Sequence, residues 1–167
     1  MLAELRHSAW PVTHCFVPFD AACHLMVITV PEDFLQRSPH KTNLAFCRAL
    51  GEFVFRLRGG AIVPRLMIVT DDVDPCNPRD VLWALMTRCH PGGGEITFPH
   101  LAANPRDAFL RADEKAAMFT TKSVHNCLPP EEWTAEERPQ RASFDRLYPI
   151  DLQQRILSDW HSGYGLP

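Results

Sequence analysis

At 167 residues and 19.0 kDa, with 46% apolar side chains, the chain is about one domain long and has enough apolar content for a single sizeable core. Its formal net charge of -3 and pI near 6.2 are unlike those of proteins that neutralise phosphates with a clustered basic stripe, which argues against nucleic acid as a partner. The amino terminus, Met1-Leu2-Ala3-Glu4-Leu5-Arg6-His7, lacks the pattern of a secretory signal. No stretch approaches the roughly 20 apolar residues of a membrane span, so a soluble cytoplasmic protein with no membrane partner is expected.

The first elements lie between residues 16 and 57. Phe16-Val17-Pro18-Phe19 reads as a short strand or strand end, and Cys23 to Val30 as a buried strand bounded by Asp20 and Pro31. Thr42 is placed to cap a helix in which Phe46, Leu50, Phe53, Val54 and Leu57 form one apolar stripe, with Gly59-Gly60 ending it.

Arg65 to Thr70 is a second buried strand, followed by a turn at Asp71-Asp72-Val73-Asp74-Pro75. Asn77 then caps a helix that starts at Pro78, buries Val81, Leu82, Leu85 and Met86, and stops at His90-Pro91-Gly92-Gly93-Gly94. A third strand is expected from Glu95 to Phe98. This order predicts an α/β domain with a mainly parallel sheet and crossover helices.

Beyond Pro99 the pattern weakens. Asn104 to Lys122 is mixed and charged, Pro129-Pro130-Glu131-Glu132-Trp133 reads as a surface excursion, and a last helix is expected over Ile150 to His161. The expectation is therefore a single domain over 1–167, with a core over 12–100 and an extended tail over 101–167 that ends in a helix.

Val63-Pro64-Arg65-Leu66-Met67-Ile68-Val69-Thr70-Asp71-Asp72-Val73-Asp74, Asp80-Val81-Leu82-Trp83-Ala84-Leu85 and Thr87-Arg88-Cys89-His90-Pro91 closely resemble the UbiD family of prenylated-FMN-dependent decarboxylases, in its ferulic and cinnamic acid branch. Phe16-x-Pro18-Phe19-Asp20, Lys122-Ser123-Val124, Leu128 to Trp133 and Tyr148-Pro149-x-Asp151-Leu152 extend the likeness along nearly the whole chain. The resemblance implies the family's carboxy-terminal domain, which contributes dimer contacts and one wall of the active site. In that family an upstream domain supplies most of the flavin pocket, the metal ligands and a catalytic Arg with two Glu residues. Met1 falls inside the last domain, so the chain is expected to bind no cofactor and not to run the family's reaction by itself.

Arg58 stands where the resemblance implies a lysine that reaches the cofactor phosphate, and it also suits a solvated cation at a helix end. Counting without gaps, Asn104-Pro105-Arg106 replaces an apolar stretch of the family's pocket wall and makes it polar and cationic. Arg58, Asn104, Arg106 and Lys122 are the candidate ligand-binding residues, since Arg matches a carboxylate with paired donors.

Asp72, His90 and His125 are the candidate proton-transfer groups, although turn formation explains Asp71, Asp72 and Asp74 equally well. His14, His24 and His100 complete the histidines worth inspecting, and Arg88 reads as a structural ion-pair former. No metal site is expected. The six cysteines lack a Cys-x-x-Cys pair and read as reduced thiols, and His14-Cys15 and Cys23-His24 sit on alternating faces. Two functions fit. One is a cofactor-independent biosynthetic enzyme acting on a small carboxylate- or carbonyl-bearing metabolite by proton transfer, cyclisation or decarboxylation. The other is a non-catalytic accessory subunit that forms a homodimer or pairs with a full-length decarboxylase.

Overall fold

The computed structural model describes residues 1–134, 136–139, 143–160 and 163. Its elements are α1 (Leu2–His7), β1 (His14–Phe16), β2 (Leu25–Val30), α2 (Asn43–Arg56), α3 (Arg58–Ala61), β3 (Arg65–Thr70), α4 (Pro78–Arg88), β4 (Glu95–Ala102), α5 (Ala112–Ala117), β5 (Phe119–Asn126), α6 (Phe144–Leu147) and α7 (Ile150–Ser158). They fall into two compact units, Met1–Trp133 and Thr134–Pro167.

The apolar runs of β2 and β3 pair in parallel, from Leu25 against Arg65 to Val30 against Thr70. β5 adds in parallel on the other side of β3, while β1 and β4 close the edges antiparallel, giving the order β1-β2-β3-β5-β4. The fold is thus α/β with a sheet that is parallel in its centre. Here the sequence expectation needs two corrections. β4, expected as the third parallel strand, is the antiparallel edge, and the third parallel strand is β5, from the segment expected as tail. Its sequence, FTTKSVHN, is too polar to read as a central strand, and its polar groups are buried with partners: Thr120 Oγ1 donates to Glu114 at 2.8 Å and Lys122 Nζ donates to the Ala61 carbonyl.

Alternation along the strands divides the core in two. Met26, Ile28, Leu66, Ile68 and Val124 meet Phe46, Leu50 and Val54 of α2, and Val27, Met67, Val69 and Cys127 meet Val81 and Ala84 of α4. The Thr42 hydroxyl accepts from Ala45 N at 3.2 Å and the Asn77 side chain accepts from Arg79 N at 3.1 Å, so both predicted caps are formed.

Other local expectations change. α4 buries Asp80, Val81, Ala84 and Arg88, while Leu82 and Met86 are exposed. Gly59 and Gly60 open no left-handed turn; α2 ends at an extended Leu57 and α3 follows at once. The Pro129–Trp133 segment is anchored, because Glu131 accepts from the Asn43 amide and Asn43 Nδ2 donates to the Pro129 carbonyl at 2.8 Å. In the second unit Gln153 Nε2 donates to the Tyr148 carbonyl at 2.7 Å at the start of α7. The expected helix over 150–161 runs to Ser158, and His161 lies outside the described residues.

Candidate functional site

A cleft of about 440 Å³ opens at the amino ends of β2 and β3. Val17, Met26, Ile62 and Val63 supply apolar lining, and Cys23, His24, Asn104, Arg106 and Asp107 supply the polar groups. The loop that carries Arg106 is fixed by its own side chains: Arg106 N donates to Asn104 Oδ1 at 3.1 Å, and Asn104 N donates to Asp107 Oδ2 at 3.3 Å. Asn104 Nδ2 reaches the Ile62 carbonyl at 3.5 Å, which ties the loop to the end of α3.

Asp107 is buried and lies 3.7 Å from His24 Nε2. Both nitrogens of that ring are occupied: Nδ1 sits 2.7 Å from the Ala22 carbonyl and Nε2 accepts from Ala108 N at 3.3 Å, which assigns the proton to Nδ1. Ala22 and Cys23 hold φ of 49° and 61°, left-handed values that side chains rarely adopt, so the cleft edge stores backbone strain. Arg106 itself is exposed, a positive group on a wall that is otherwise neutral or internally paired.

The structure brings Asn104 and Arg106 together in this cleft and leaves the other candidates elsewhere. Arg58 is exposed at the start of α3, beside the cleft residue Gly59 and without a hydrogen bond or ion pair to a described residue. Such a cation fits one phosphate contact. Among the described residues no group of three His, Cys, Asp or Glu side chains converges to hold a metal ion.

Lys122 is 2% exposed, with Nζ bound to the Ala61 carbonyl and 5.5 Å from the Phe55 ring centroid. Burial lowers its pKa, and the nearby Asp107 opposes that effect.

Asp72 follows β3 at the opposite, carboxyl end. The six residues of β3 span about 20 Å at ~3.3 Å each, so Asp72 does not reach a ligand held by Arg106. It is also committed: Arg88 Nη1 donates to Oδ1 at 3.1 Å, Nη2 donates to Oδ2, and Thr70 Oγ1 donates to Oδ1 at 2.6 Å. Desolvation pushes this carboxyl up, but the hydrogen bonds from Arg88 and Thr70 and the guanidinium charge outweigh it, leaving the pKa lowered. Arg88 is thus the structural ion-pair former its position in α4 suggested.

His90 is exposed in the turn after α4, His14 is exposed on β1, and His100 stacks on Phe119 at 4.3 Å between centroids. His125 lies on the α4 side of the sheet, in a second pocket of about 210 Å³ with Leu25, Arg65 and Leu85, which adjoins the cleft at His24. Sequence reasoning missed Asp107, whose signal was the turn Asn104-Pro105-Arg106-Asp107, where the Asn side chain can accept from the amide two residues on and the Asp side chain from the amide three residues back.

The geometry defines an α/β domain with a central parallel sheet and a cation-rimmed cleft at the strands' amino ends. The family model of the 3-octaprenyl-4-hydroxybenzoate carboxy-lyase (UbiD) C-terminal domain matches residues 1–127, and the chain belongs to that family. It is 32% identical over 166 residues to the pyrrole-2-carboxylic acid decarboxylase of Pseudomonas aeruginosa, covering 99% of this chain and 33% of that protein. It is 27% identical over 154 residues to ferulic acid decarboxylase 1 of Saccharomyces cerevisiae, covering 92% and 30%. The chain therefore spans about a third of the curated relatives it matches. The UbiD-class enzyme HmfF of Pelotomaculum thermopropionicum shares the fold, with a TM-score of 0.67 and 19% identity over 95% of this chain and 31% of that one.

Proposed function

We propose that this chain serves the decarboxylation of a small carboxylate-bearing metabolite as the domain that receives the ligand's negative charge, with proton transfer supplied by a partner decarboxylase domain. The observation that carries this reading is the exposed Arg106 on the rim of a 440 Å³ cleft where His24, Asn104 and Asp107 are held by hydrogen bonds to neighbouring groups. A planar guanidinium offers a carboxylate two parallel donors, and the apolar lining of Val17, Met26, Ile62 and Val63 suits an unsaturated or aromatic body. The names of the two decarboxylase relatives, for pyrrole-2-carboxylic and ferulic acids, support that ligand class.

A self-contained enzyme is less well supported, because the cleft holds no uncommitted proton carrier of the right type. His24 has both ring nitrogens occupied, and Asp72 is held by Arg88 at the far end of β3.

The test is a calorimetric titration of the purified chain with pyrrole-2-carboxylate and with ferulate. Saturable binding is expected, weakened at least tenfold by Arg106→Ala, about 1.4 kcal/mol. Because Arg106 is exposed, its thermal midpoint should stay within about 1 °C. Undiminished affinity in the variant, or no binding by the parent chain, contradicts the proposal.

A further inference from the structure

α4 covers only part of its face of the sheet. At the amino end of β3, beyond that helix, the strand registers set polar side chains in rows across three strands. Leu25, Arg65, Ser123 and Thr97 are successive cross-strand partners and share one row. Met67, His125 and Glu95 form the next row, two residues along and so on the same face.

Two members of these rows carry opposite charges that are not paired. Arg65 and Glu95 are both exposed, and neither makes a hydrogen bond or ion pair with a described residue. The Arg65 guanidinium is nonetheless held in place: it lies over the Phe109 ring, 4.8 Å from the centroid, and the His24 and Phe109 rings meet edge to face at 6.0 Å. Stacking of this kind covers a face of the guanidinium and leaves its N–H edges free. Strands about 4.8 Å apart and same-face residues ~6.7 Å apart put the Cα atoms of Arg65 and Glu95 about 12 Å from each other, which leaves room for a small molecule between the side-chain ends.

Both residues line one pocket of about 230 Å³, together with Thr97 and Ser123. Ser123 is buried, and its Oγ lies 3.4 Å from His125 Nε2, which steadies the hydroxyl on the strand next to Arg65. The other charges of this pocket are committed. Glu114 accepts from Thr120 Oγ1 at 2.8 Å and from Arg111 N at 3.1 Å, and Lys122 Nζ donates to the Ala61 carbonyl. Among the described residues lining it, one cation and one anion thus remain open to a ligand. Arg65 also borders the adjoining pocket of about 210 Å³, where Leu25, Met67 and Leu85 give an apolar lining. A plain carboxylate here meets Glu95 as a repulsive neighbour, and a plain amine meets Arg65 in the same way; a molecule that carries both groups satisfies both.

We propose that this face binds a free α-amino acid with an apolar side chain: its carboxylate on Arg65 with Ser123 Oγ as a further partner, its ammonium on Glu95, and its side chain against Leu25, Met67 and Leu85. The site uses neither Asn104 nor Arg106 and stands independently of the ligand assigned to their cleft.

The experiment titrates the full chain with L-leucine and with two truncated analogues, isocaproate, which lacks the amine, and isoamylamine, which lacks the carboxylate. Affinity is read from the amide shifts of Arg65, Ser123 and Glu95. Saturable leucine binding at millimolar concentration is expected, at least about tenfold tighter than either analogue, since each analogue leaves one charged contact unmade. Arg65→Gln and Glu95→Gln should each weaken leucine about tenfold. Glu95→Gln should leave isocaproate unchanged or bind it more tightly, an outcome that loss of packing does not produce. Both residues are exposed, so both variants keep the fold. The proposal is overturned if leucine does not saturate, if isocaproate binds as tightly as leucine, if either variant binds leucine like the parent, or if the shifts are confined to Asn104 to Asp107.

Discussion

Replacing Asp72 by Asn removes the charged partner of a guanidinium whose side chain is only 2% exposed. A fully buried pair broken this way costs about 3–5 kcal/mol; because Asp72 is 38% exposed and water reaches it, about 2 kcal/mol is expected. The pH dependence follows from the lowered folded-state pKa of Asp72. Its stabilising contribution is complete above the ordinary carboxylate range near ~4 and disappears as pH falls through the folded value. Urea midpoints of the parent chain and Asp72→Asn should therefore differ at pH 7 and converge as pH falls below the ordinary carboxylate range; a constant gap would refute the ion pair's role. That Asp72 sits in a turn was legible from its neighbours. That it faces Arg88, sixteen residues on, was not, because the contact depends on how α4 packs against the end of β3.

α2 crosses the sheet where Gly51 allows it. A Cβ on Gly51 would stand 2.6 Å from Val124 Cγ2 and 2.9 Å from Phe98 Cζ, and Val124 is fully buried on the central strand β5, so the clash cannot be relieved locally. Gly51→Ala should destabilise the chain by about 1–3 kcal/mol despite alanine's better helix propensity, lowering the thermal midpoint by several degrees. A variant as stable as the parent would show that the helix rides higher on the sheet. The caps at Thr42 and Asn77 were readable because a cap is made by residues two or three apart. β5 was not, because its burial depends on partners far along the chain: Ala61 for Lys122, and β3 and β4 for its backbone. The Asn104–Arg106 wall could be found by counting from family motifs; the loop that closes on Asp107 could not.

Two compact units and a matched family that reaches residue 127 give the molecule its frame. Leu82 and Met86, expected in the core, are instead 59% and 68% exposed on α4, an apolar face of the kind that pairs with a second copy. Light scattering at micromolar concentration should return twice the 19.0 kDa chain mass, and a monomer at every dilution would refute self-association. A ligand whose charge is received at the amino ends of β2 and β3, and not beside Asp72, marks those residues in amide chemical-shift mapping with pyrrole-2-carboxylate. Shifts are expected at Ala22 to His24, Ile62, Val63 and Asn104 to Asp107, with Asp71 to Asp74 and His90 unmoved; shifts confined to Asp71 to Asp74 and His90 would place the ligand at the other end of the strands.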